Sequence, residues 1–354
     1  MAGAVPARCR TRRTTSEQVA VCQDSGPRSC PPCCRWHRTV VIHFEVDYWH
    51  MDLGKNGAFI VGPARCGTTV LQGALNSSPD LFLFGEANWA HRSDGADFAD
   101  WYNAMHRDTN NNQPTKSTYC PRLLDRPATW RDYYNALAEC YLFVGDKLAL
   151  GPQHFGATAS DQLEFFCRNF YLARYILTLR SPATTIASCL RVFTPTPAIN
   201  WIVAYINAFL LIIDVLRNIR HTRMLFYEDV SPESFLALGQ FLGVELKLAA
   251  AYYDSRRSFT STPHAPDYRF NDEEATLIDV LSAIYSDYRE LFDKTTLSLR
   301  SDARHLEQKR NPSAPPRCSG DLLQGIGLSW HRLHGLLLRC GRLTACGTNS
   351  AMGC

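Results

Sequence analysis

The segment from Ala58 to Asn76 combines an apolar run, a glycine-rich turn and a helical repeat. The run is Ala58-Phe-Ile-Val61, the turn is Gly62-Pro-Ala-Arg-Cys-Gly67, and Val70, Leu71 and Leu75 then recur at helical spacing. A turn with this glycine spacing at the start of a helix presents backbone amides and the positive end of the helix dipole. The segment therefore predicts a strand, a phosphate-binding loop and a helix.

The turn lacks the lysine of a nucleotide-hydrolysing loop. Thr68 stands at the lysine position, and Arg65 places a positive charge inside the turn instead. A later apolar run, Tyr175–Leu179, ends in Arg180, whereas the matching strand of a metal-dependent enzyme ends in an acidic residue that holds the metal. These residues predict a site for an anionic ligand bound without a metal.

Short apolar runs alternate with helical segments along the middle of the chain. After the first strand, the candidate strands are Leu81–Phe84, Leu142–Val144, Tyr175–Leu179 and Met224–Tyr227. This alternation predicts an α/β fold, a P-loop-type parallel sheet flanked by helices. We expect Gly145-Asp146-Lys147 to end the third strand, Ser181-Pro182 to start a helix, and Gly243 to close the helix that opens at Ser231.

The chain has 354 residues, which is enough for one large domain or two ordinary ones. We expect a single domain at residues 57–304, between poorly ordered tails at residues 1–56 and 305–354, although Thr39–Val46 is a candidate strand within the first tail. The content of 45% hydrophobic and 20% charged residues is typical of a soluble globular protein. A net charge of +3 is too small to indicate nucleic acid as a partner.

The cysteines are concentrated in the two tails. Cys30-Pro-Pro-Cys-Cys34 is not followed by a second ligand pair at finger-like spacing, so we expect no zinc site. The central cysteines favour a reducing compartment, the cytoplasm, while an Arg-rich, acid-poor N-terminus leaves organelle targeting open. The longest apolar run, Trp201–Ile213, is too short for a good membrane span, so we expect a buried helix and no clear membrane span.

The turn and three later motifs resemble those of the sulfotransferases that use PAPS (3′-phosphoadenosine 5′-phosphosulfate). Gly62–Thr69 is similar to the family's G-x-x-R-S-G-T-T loop, and Ile176–Ser188 to its strand-R-D-P…S segment. Gly145-Asp146-Lys147 resembles the G-D/E-K motif, and Phe226–Asp229 with Phe241–Val244 resembles Y-E-D-L…F-L-G-L. The chain looks closer to the branch that acts on carbohydrates and protein tyrosines than to the cytosolic small-molecule branch.

The resemblance implies which residues hold the donor. The amides of Arg65 to Thr69 and the hydroxyls of Thr68 and Thr69 would bind the 5′-phosphosulfate, and Arg65 would neutralise it. Arg180 and Ser188 would bind the 3′-phosphate, and Tyr227 would approach the adenine. The implied donor-binding residues are Gly62, Arg65, Cys66, Gly67, Thr68, Thr69, Arg180, Ser188 and Tyr227.

The implied catalytic residues are Glu86, Lys147 and Arg65. Glu86 resembles the carboxylate that takes the acceptor proton in the carbohydrate and tyrosine branch, and Lys147 would lie near the leaving oxygen. The small-molecule branch uses a histidine, so the alternative bases are His91, His106 and His154. A carboxylate that caps a turn and a solvated strand-end lysine are the ordinary alternatives for Glu86 and Lys147.

The chain departs from the family pattern at two positions inside the motifs. Cys66 replaces the usual serine of the loop, and Ser181 replaces the usual aspartate after Arg180. The C-terminal R-K-G-x-x-G-D-W-K loop of the cytosolic members is absent from the sequence. These changes affect the implied activity more than the implied fold.

The implied function is metal-free, in-line transfer of a sulfuryl group from PAPS to a hydroxyl or amine. The acceptor would be a small molecule, a carbohydrate or a lipid. The alternatives are an inactive PAP-binding protein of the same fold (PAP is the desulfated donor) and a P-loop kinase or NTPase. The sequence identifies neither the acceptor nor the oligomeric state.

Overall fold

The five apolar runs all form strands of one sheet. The computed structural model describes residues 54–87, 96–110, 126–152, 159–193, 195–260, 268–306, 327–329 and 331–340. The candidate strand Thr39–Val46 lies outside them. The strands are β1 Gly57–Pro63, β2 Leu81–Gly85, β3 Phe143–Leu150, β4 Arg174–Leu179 and β5 Thr222–Phe226.

Helices alternate with the strands, which confirms the predicted α/β class. The helices are α1 Thr68–Leu75, α2 Ala96–Asn110, α3 Trp130–Ala138, α4 Ala159–Asn169, α5 Pro182–Val192, α6 Ala198–Asn218, α7 Pro232–Leu242, α8 Ala249–Thr260 and α9 Asp272–Leu306. A short 3-10 turn, Tyr227–Asp229, follows β5.

All neighbouring strands of the sheet are parallel, in the order β2-β3-β1-β4-β5. From β1 the chain passes through α1 to β2 on one side of the sheet. From β4 it passes through α5 and α6 to β5 on the other side. In such sheets, ligands bind outside the carboxyl ends of adjacent strands whose connections run in opposite directions. The fold therefore points to the carboxyl ends of β1 and β4.

Both faces of the sheet are covered by apolar side chains. In β1, Phe59 and Val61 belong to one buried cluster, and Ala58 and Ile60 belong to another. This alternation follows from the two-residue period of a strand, and burial of both faces explains why the strand is continuously apolar. The first cluster is rich in aromatic rings; Phe59, for example, stacks on Tyr175 at 5.2 Å. The two clusters give the sheet a rigid base at its centre.

Strand β3 is longer than the sequence predicts. We expected Gly145-Asp146-Lys147 to end the strand, but β3 continues to Leu150. Its neighbour β1 pairs with it as far as Pro63 opposite Leu150, so the hydrogen-bonding partners extend past Lys147. Lys147 is therefore held inside the sheet, opposite Ile60 of β1 and Gly85 of β2.

The long apolar run predicted as a buried helix forms α6, and this prediction is confirmed. Among the described residues, α6 is the only helix long and apolar enough to cross a membrane, yet 67% of its apolar window is buried inside the protein. It packs against α4, α5, α9 and β1. Its contacts are those of a core helix.

The predicted ends of α7 and the predicted start of α5 are also present, but the start of α5 is stabilised by a different hydrogen bond from the one expected. Helix α7 begins after Ser231 and closes on Gly243, whose φ of 73° is in the left-handed region that glycine favours. Ser181 is the N-cap of α5 and Pro182 follows it, but the serine side chain makes no capping hydrogen bond. Instead, the Ser181 amide donates to Glu228 Oε1 at 2.8 Å.

The tail beyond residue 305 contains a packed helix that sequence patterning did not indicate. Residues 331–340 are helical, and Leu333, Leu336 and Cys340 are buried in the same cluster as Phe59. Arg332 forms an ion pair with Asp287 of α9. This segment therefore packs against the domain core, although it lies far in sequence from the other residues of that core.

Candidate active site at the carboxyl edge of the sheet

The turn between β1 and α1 is shaped to receive an anion. Arg65 and Gly67 have φ angles of 68° and 77°, so the turn bends sharply at both residues. Gly67 is the N-cap of α1, no side chain caps the helix, and its first turn contains no acidic residue. The first amides of a helix have no carbonyl partners within it. The start of α1 is therefore open to a negatively charged group.

The side chain of Cys66 packs the turn onto helix α5. Cys66 is buried, and its Sγ lies 3.9 Å from Thr185 Oγ1. One helical turn later, Cys189 donates from Sγ to the Ala64 carbonyl at 3.7 Å. Burial raises the pKa of the Cys66 thiol, so it stays neutral. The exchange of serine for cysteine thus falls on a buried packing contact.

Arg65 reaches from the turn to the same helix. Its Nε donates to Ser188 Oγ at 3.2 Å, and Ser188 is buried in α5. From sequence, Arg65 was assigned to the sulfuryl group and Ser188 to the 3′-phosphate. The structure brings these two side chains together, on the α5 side of the turn.

Arg180 also joins this group at the end of β4. Its Nη1 donates to the Arg65 carbonyl at 3.3 Å, and its guanidinium carbon lies 4.4 Å from the centroid of the Tyr227 ring. The Tyr205 hydroxyl of α6 donates to the Arg180 carbonyl at 2.7 Å and fixes the backbone. The sequence-predicted residues Arg65, Arg180, Ser188 and Tyr227 therefore meet at one place.

Tyr227 closes over the glycine of the turn. A Cβ atom added to Gly67 would lie 2.7 Å from two carbons of the Tyr227 ring, so only glycine fits. Thr178, on β4, lines the same small cavity, and its buried Oγ1 has no hydrogen-bond partner among the described residues.

A second polar group lies on the other side of the turn. Lys147 Nζ donates to Glu86 Oε1 at 2.6 Å and to Thr69 Oγ1 at 3.3 Å. The Lys147 side chain is only 2% exposed, whereas that of Glu86 is 39% exposed. The ammonium is thus buried behind a carboxylate that faces outward. Thr68, the other predicted hydroxyl, is buried.

Glu86 has an unusual backbone for a residue with a side chain. Its φ is 66°, in the left-handed region, directly after β2 ends at Gly85. Such strain persists only where surrounding contacts hold it, and it is concentrated at functional sites. Of the alternative bases, His91 and His154 lie outside the described residues, and the side chain of His106 is not among those described.

Helix α9 supplies two contacts to the site that sequence reasoning missed. The Tyr285 hydroxyl donates to Glu228 Oε2 at 2.7 Å, and Arg289 donates to both carboxylate oxygens of Asp229. Burial, and next the bond to Glu228, raises the pKa of Tyr285, which therefore stays a donor. These contacts anchor the turn that carries Tyr227. The acidic pair after β5 was visible in the sequence, but its distant partners were not.

The site therefore consists of the turn between β1 and α1 with a polar group on each side. Arg65, Arg180 and Ser188 form one group, and Glu86, Lys147 and Thr69 form the other. In the described part of the chain, no group of three or more His, Cys, Asp or Glu side chains is placed to hold a metal ion.

The chain matches a known protein family across half of its length. A family model described as "Sulfotransferase family" matches residues 58–236. No curated protein matches the chain. The sulfotransferase domain of the Synechococcus PCC 7002 olefin synthase is 18% identical, with a TM-score of 0.44, and the match covers 65% of this chain and 95% of that one. Sulfotransferase STF9 from Mycobacterium avium is 11% identical, with a TM-score of 0.36, over 66% and 76% of the two chains.

Proposed function

Because the chain belongs to the sulfotransferase family, we propose that it transfers a sulfuryl group from PAPS to a hydroxyl or amine acceptor. One observation carries the proposal: the turn between β1 and α1, together with the first residues of α1, contacts both polar groups. Arg65 reaches Ser188 on one side, and Thr69 meets Lys147 on the other. A single loop can therefore hold the two charged ends of one adenosine bisphosphate donor.

The residues present fit such a donor by their chemistry. Arg65 and Arg180 provide two guanidinium groups, which suit multi-oxygen anions, and Ser188 provides a hydroxyl beside them. The open start of α1 favours a further phosphate. We assign the first group to the 3′-phosphate and the start of α1, with Lys147, to the 5′-phosphosulfate. Arg65 is long enough to serve either end.

Glu86 and Lys147 would carry the transfer itself. The acceptor oxygen forms a bond to sulfur while the bond from sulfur to the 5′-phosphate oxygen breaks, and the electron pair of that bond stays on the phosphate. The acceptor proton goes to the Glu86 carboxylate. Lys147 stabilises the charge that develops on the leaving oxygen, in a buried position where such stabilisation is strong. Arg180 follows the last residue of β4, at the position where a metal-dependent P-loop enzyme has the carboxylate that holds its metal ion.

A carboxylate at this position favours the branch that acts on carbohydrates and protein tyrosines, because the small-molecule branch uses a histidine as its base. Glu86 lies beside Lys147 and is partly exposed, so an acceptor hydroxyl can reach it. We propose a carbohydrate, lipid or other small acceptor on this basis.

The assignment of the donor site predicts loss of PAP affinity in two variants. Arg65→Ala and Arg180→Ala should each weaken PAP binding at least about tenfold, because a charge-assisted contact contributes about 1.5–3 kcal/mol. Isothermal titration calorimetry measures this directly. Arg223→Ala, at an exposed position in β5, is the matched control and should bind PAP normally. Full PAP affinity in both site variants would refute the assignment.

A pair of glycine variants tests the contact between the turn and Tyr227. Gly67 and Gly243 have similar φ angles, 77° and 73°, but a Cβ at Gly243 would meet nothing within 4 Å. Gly243→Ala should lose about 1 kcal/mol of stability from backbone strain, and Gly67→Ala should lose more, because its Cβ also clashes with the Tyr227 ring. Only Gly67→Ala should also lose PAP affinity, because it displaces the Tyr227 ring. Equal PAP binding by the two variants would contradict this role for Gly67.

Transfer of radiolabelled sulfate from PAPS to a panel of acceptors tests the reaction. Labelled product with a carbohydrate, lipid or phenolic acceptor is the expected result. PAP binding without any transfer would instead identify a non-catalytic member of the fold. Thermal stabilisation by Mg-ATP but not by PAP would identify a kinase or NTPase.

A further inference from the structure

A buried carboxylate lies directly behind the pair formed by Glu86 and Lys147. Asp146 is 2% exposed and belongs to β3. Its Oδ1 accepts hydrogen bonds from two backbone amides, that of Ala87 at 3.1 Å and that of Lys147 at 2.9 Å. These amides belong to Lys147 itself and to the residue that follows Glu86. One oxygen atom therefore contacts the backbone of Lys147 and that of the residue next to Glu86.

The end of β2 shows why this contact is needed. Gly85 is the last residue of β2 and pairs with Lys147, and the Glu86 amide still donates to the Lys147 carbonyl at 2.9 Å. Strand β2 ends at Gly85, and the Ala87 amide beyond it donates to the side chain of Asp146. The Asp146 side chain thereby holds the backbone on the C-terminal side of Glu86.

The backbone of Glu86 depends on being held from both sides. Its φ of 66° is unfavourable for a residue with a Cβ atom. The hydrogen bond from the Glu86 amide to β3 fixes the backbone on the N-terminal side of Glu86, and the bond from the Ala87 amide to Asp146 fixes it on the C-terminal side. In this conformation the Glu86 carboxylate lies 2.6 Å from Lys147 Nζ. Loss of the hydrogen bond from Ala87 to Asp146 would let Glu86 return to an ordinary φ and would move its carboxylate.

We propose that Asp146 is a positioning residue that holds Glu86 and Lys147 in their mutual arrangement by accepting the amides of Ala87 and Lys147. This inference rests on the proposed function for its effect on transfer, but the geometry it explains belongs to the chain alone. Asp146 acts through its neighbours, since its carboxylate is buried and contacts their backbone. A buried carboxylate is stable only where such donors surround it.

Three variants separate positioning from general stability. Asp146→Ala removes the acceptor oxygen, and a displacement of catalytic groups of this kind should lower kcat about a hundredfold. Asp146→Asn keeps an oxygen at the same place and should recover at least about tenfold of that loss. PAP affinity should stay within about threefold of the native protein in both, because the hydrogen bonds that join Arg65, Arg180 and Ser188, the group assigned to the 3′-phosphate, do not involve Asp146. Asp80→Ala, at an exposed position before β2, is the matched control.

A mutant cycle that treats Glu86 and Lys147 as one unit gives the decisive readout. In a background that carries both Glu86→Ala and Lys147→Ala, Asp146→Ala should lower the remaining transfer by no more than about threefold, because residues that act through one another are not additive. A further hundredfold loss in that background would overturn the proposal. So would a loss of PAP affinity that matches the loss of kcat, or an Asp146→Asn variant as inactive as Asp146→Ala.

Hydrogen exchange tests the same geometry without any activity. In Asp146→Ala, a peptide that contains Glu86 and Ala87 should exchange faster than in the native protein, while a peptide from Arg174–Leu179 of β4 should be unchanged. Unchanged exchange at Ala87 would overturn the proposal. Faster exchange in a protein that neither binds PAP nor transfers sulfate would support the positioning role and refute the proposed function.

Discussion

Replacing Lys147 by alanine should lower sulfuryl transfer about a hundredfold to a thousandfold, the usual effect of removing a preorganised charge from a transition state. Lys147 is suited to this effect because its ammonium is buried and held at two points, by Glu86 and by Thr69. No solvent needs to reorganise when charge appears beside it. The measurement is kcat with saturating PAPS, together with the melting temperature of the variant.

The control for Lys147 is a surface ion pair of the same two residue types. Lys247 lies 2.9 Å from Glu245, with side chains 74% and 69% exposed. Exposed pairs of this kind contribute at most about 1 kcal/mol to stability, so Lys247→Ala should leave both transfer and melting temperature nearly unchanged. If Lys147→Ala lowers the melting temperature but retains kcat, the buried pair is structural and the proposed role of Lys147 is wrong.

The sequence predicted the fold well because local patterns agree with the global arrangement in this domain. The strands contain short apolar runs, and characteristic residues mark several element ends, such as Gly62 near the end of β1, Ser181-Pro182 after β4 and Gly243 after α7. Parallel strands with both faces buried leave little freedom in their composition. The end of β3 was misplaced because it depends on the length of β1, its neighbour in space.

The candidate site was only partly predictable for a related reason. The turn, Arg180 and Ser188 could be recognised because they lie in short motifs. The contact between Arg65 and Ser188 spans 123 positions in sequence, and no local pattern specifies it. The hydrogen bonds from Tyr285 and Arg289 to the turn after β5 could not be predicted either, because the residues that make them carry no motif in the sequence of their helix.

Backbone strain is a second property that sequence does not reveal. Arg65 and Glu86 are the two described residues other than glycine with a positive φ. Both were selected as catalytic candidates from their motifs, before any backbone angle was considered. Strained residues of this kind are concentrated at functional sites. The coincidence supports the choice of Glu86 over a carboxylate that merely ends a turn.

Replacing Glu86 by glutamine should lower kcat about a hundredfold to ten-thousandfold, the range expected for loss of a general base. Glutamine keeps the size of the side chain and can still accept a hydrogen bond from Lys147, so the arrangement of the site should survive. PAP affinity should therefore remain close to that of the native protein. The measurements are kcat with a saturating acceptor and the dissociation constant of PAP.

The choice of acceptor makes the test of Glu86 sharper. An acceptor hydroxyl with a low pKa, such as a nitrophenol, ionises by itself and needs little help from a base. The deficit of Glu86→Gln should therefore shrink as the acceptor becomes more acidic, whereas the deficit of Lys147→Ala should not. Glu245→Gln, in the exposed pair, provides the control. An equal deficit for all acceptors would contradict the role of Glu86 as base and would assign the proton transfer to another residue.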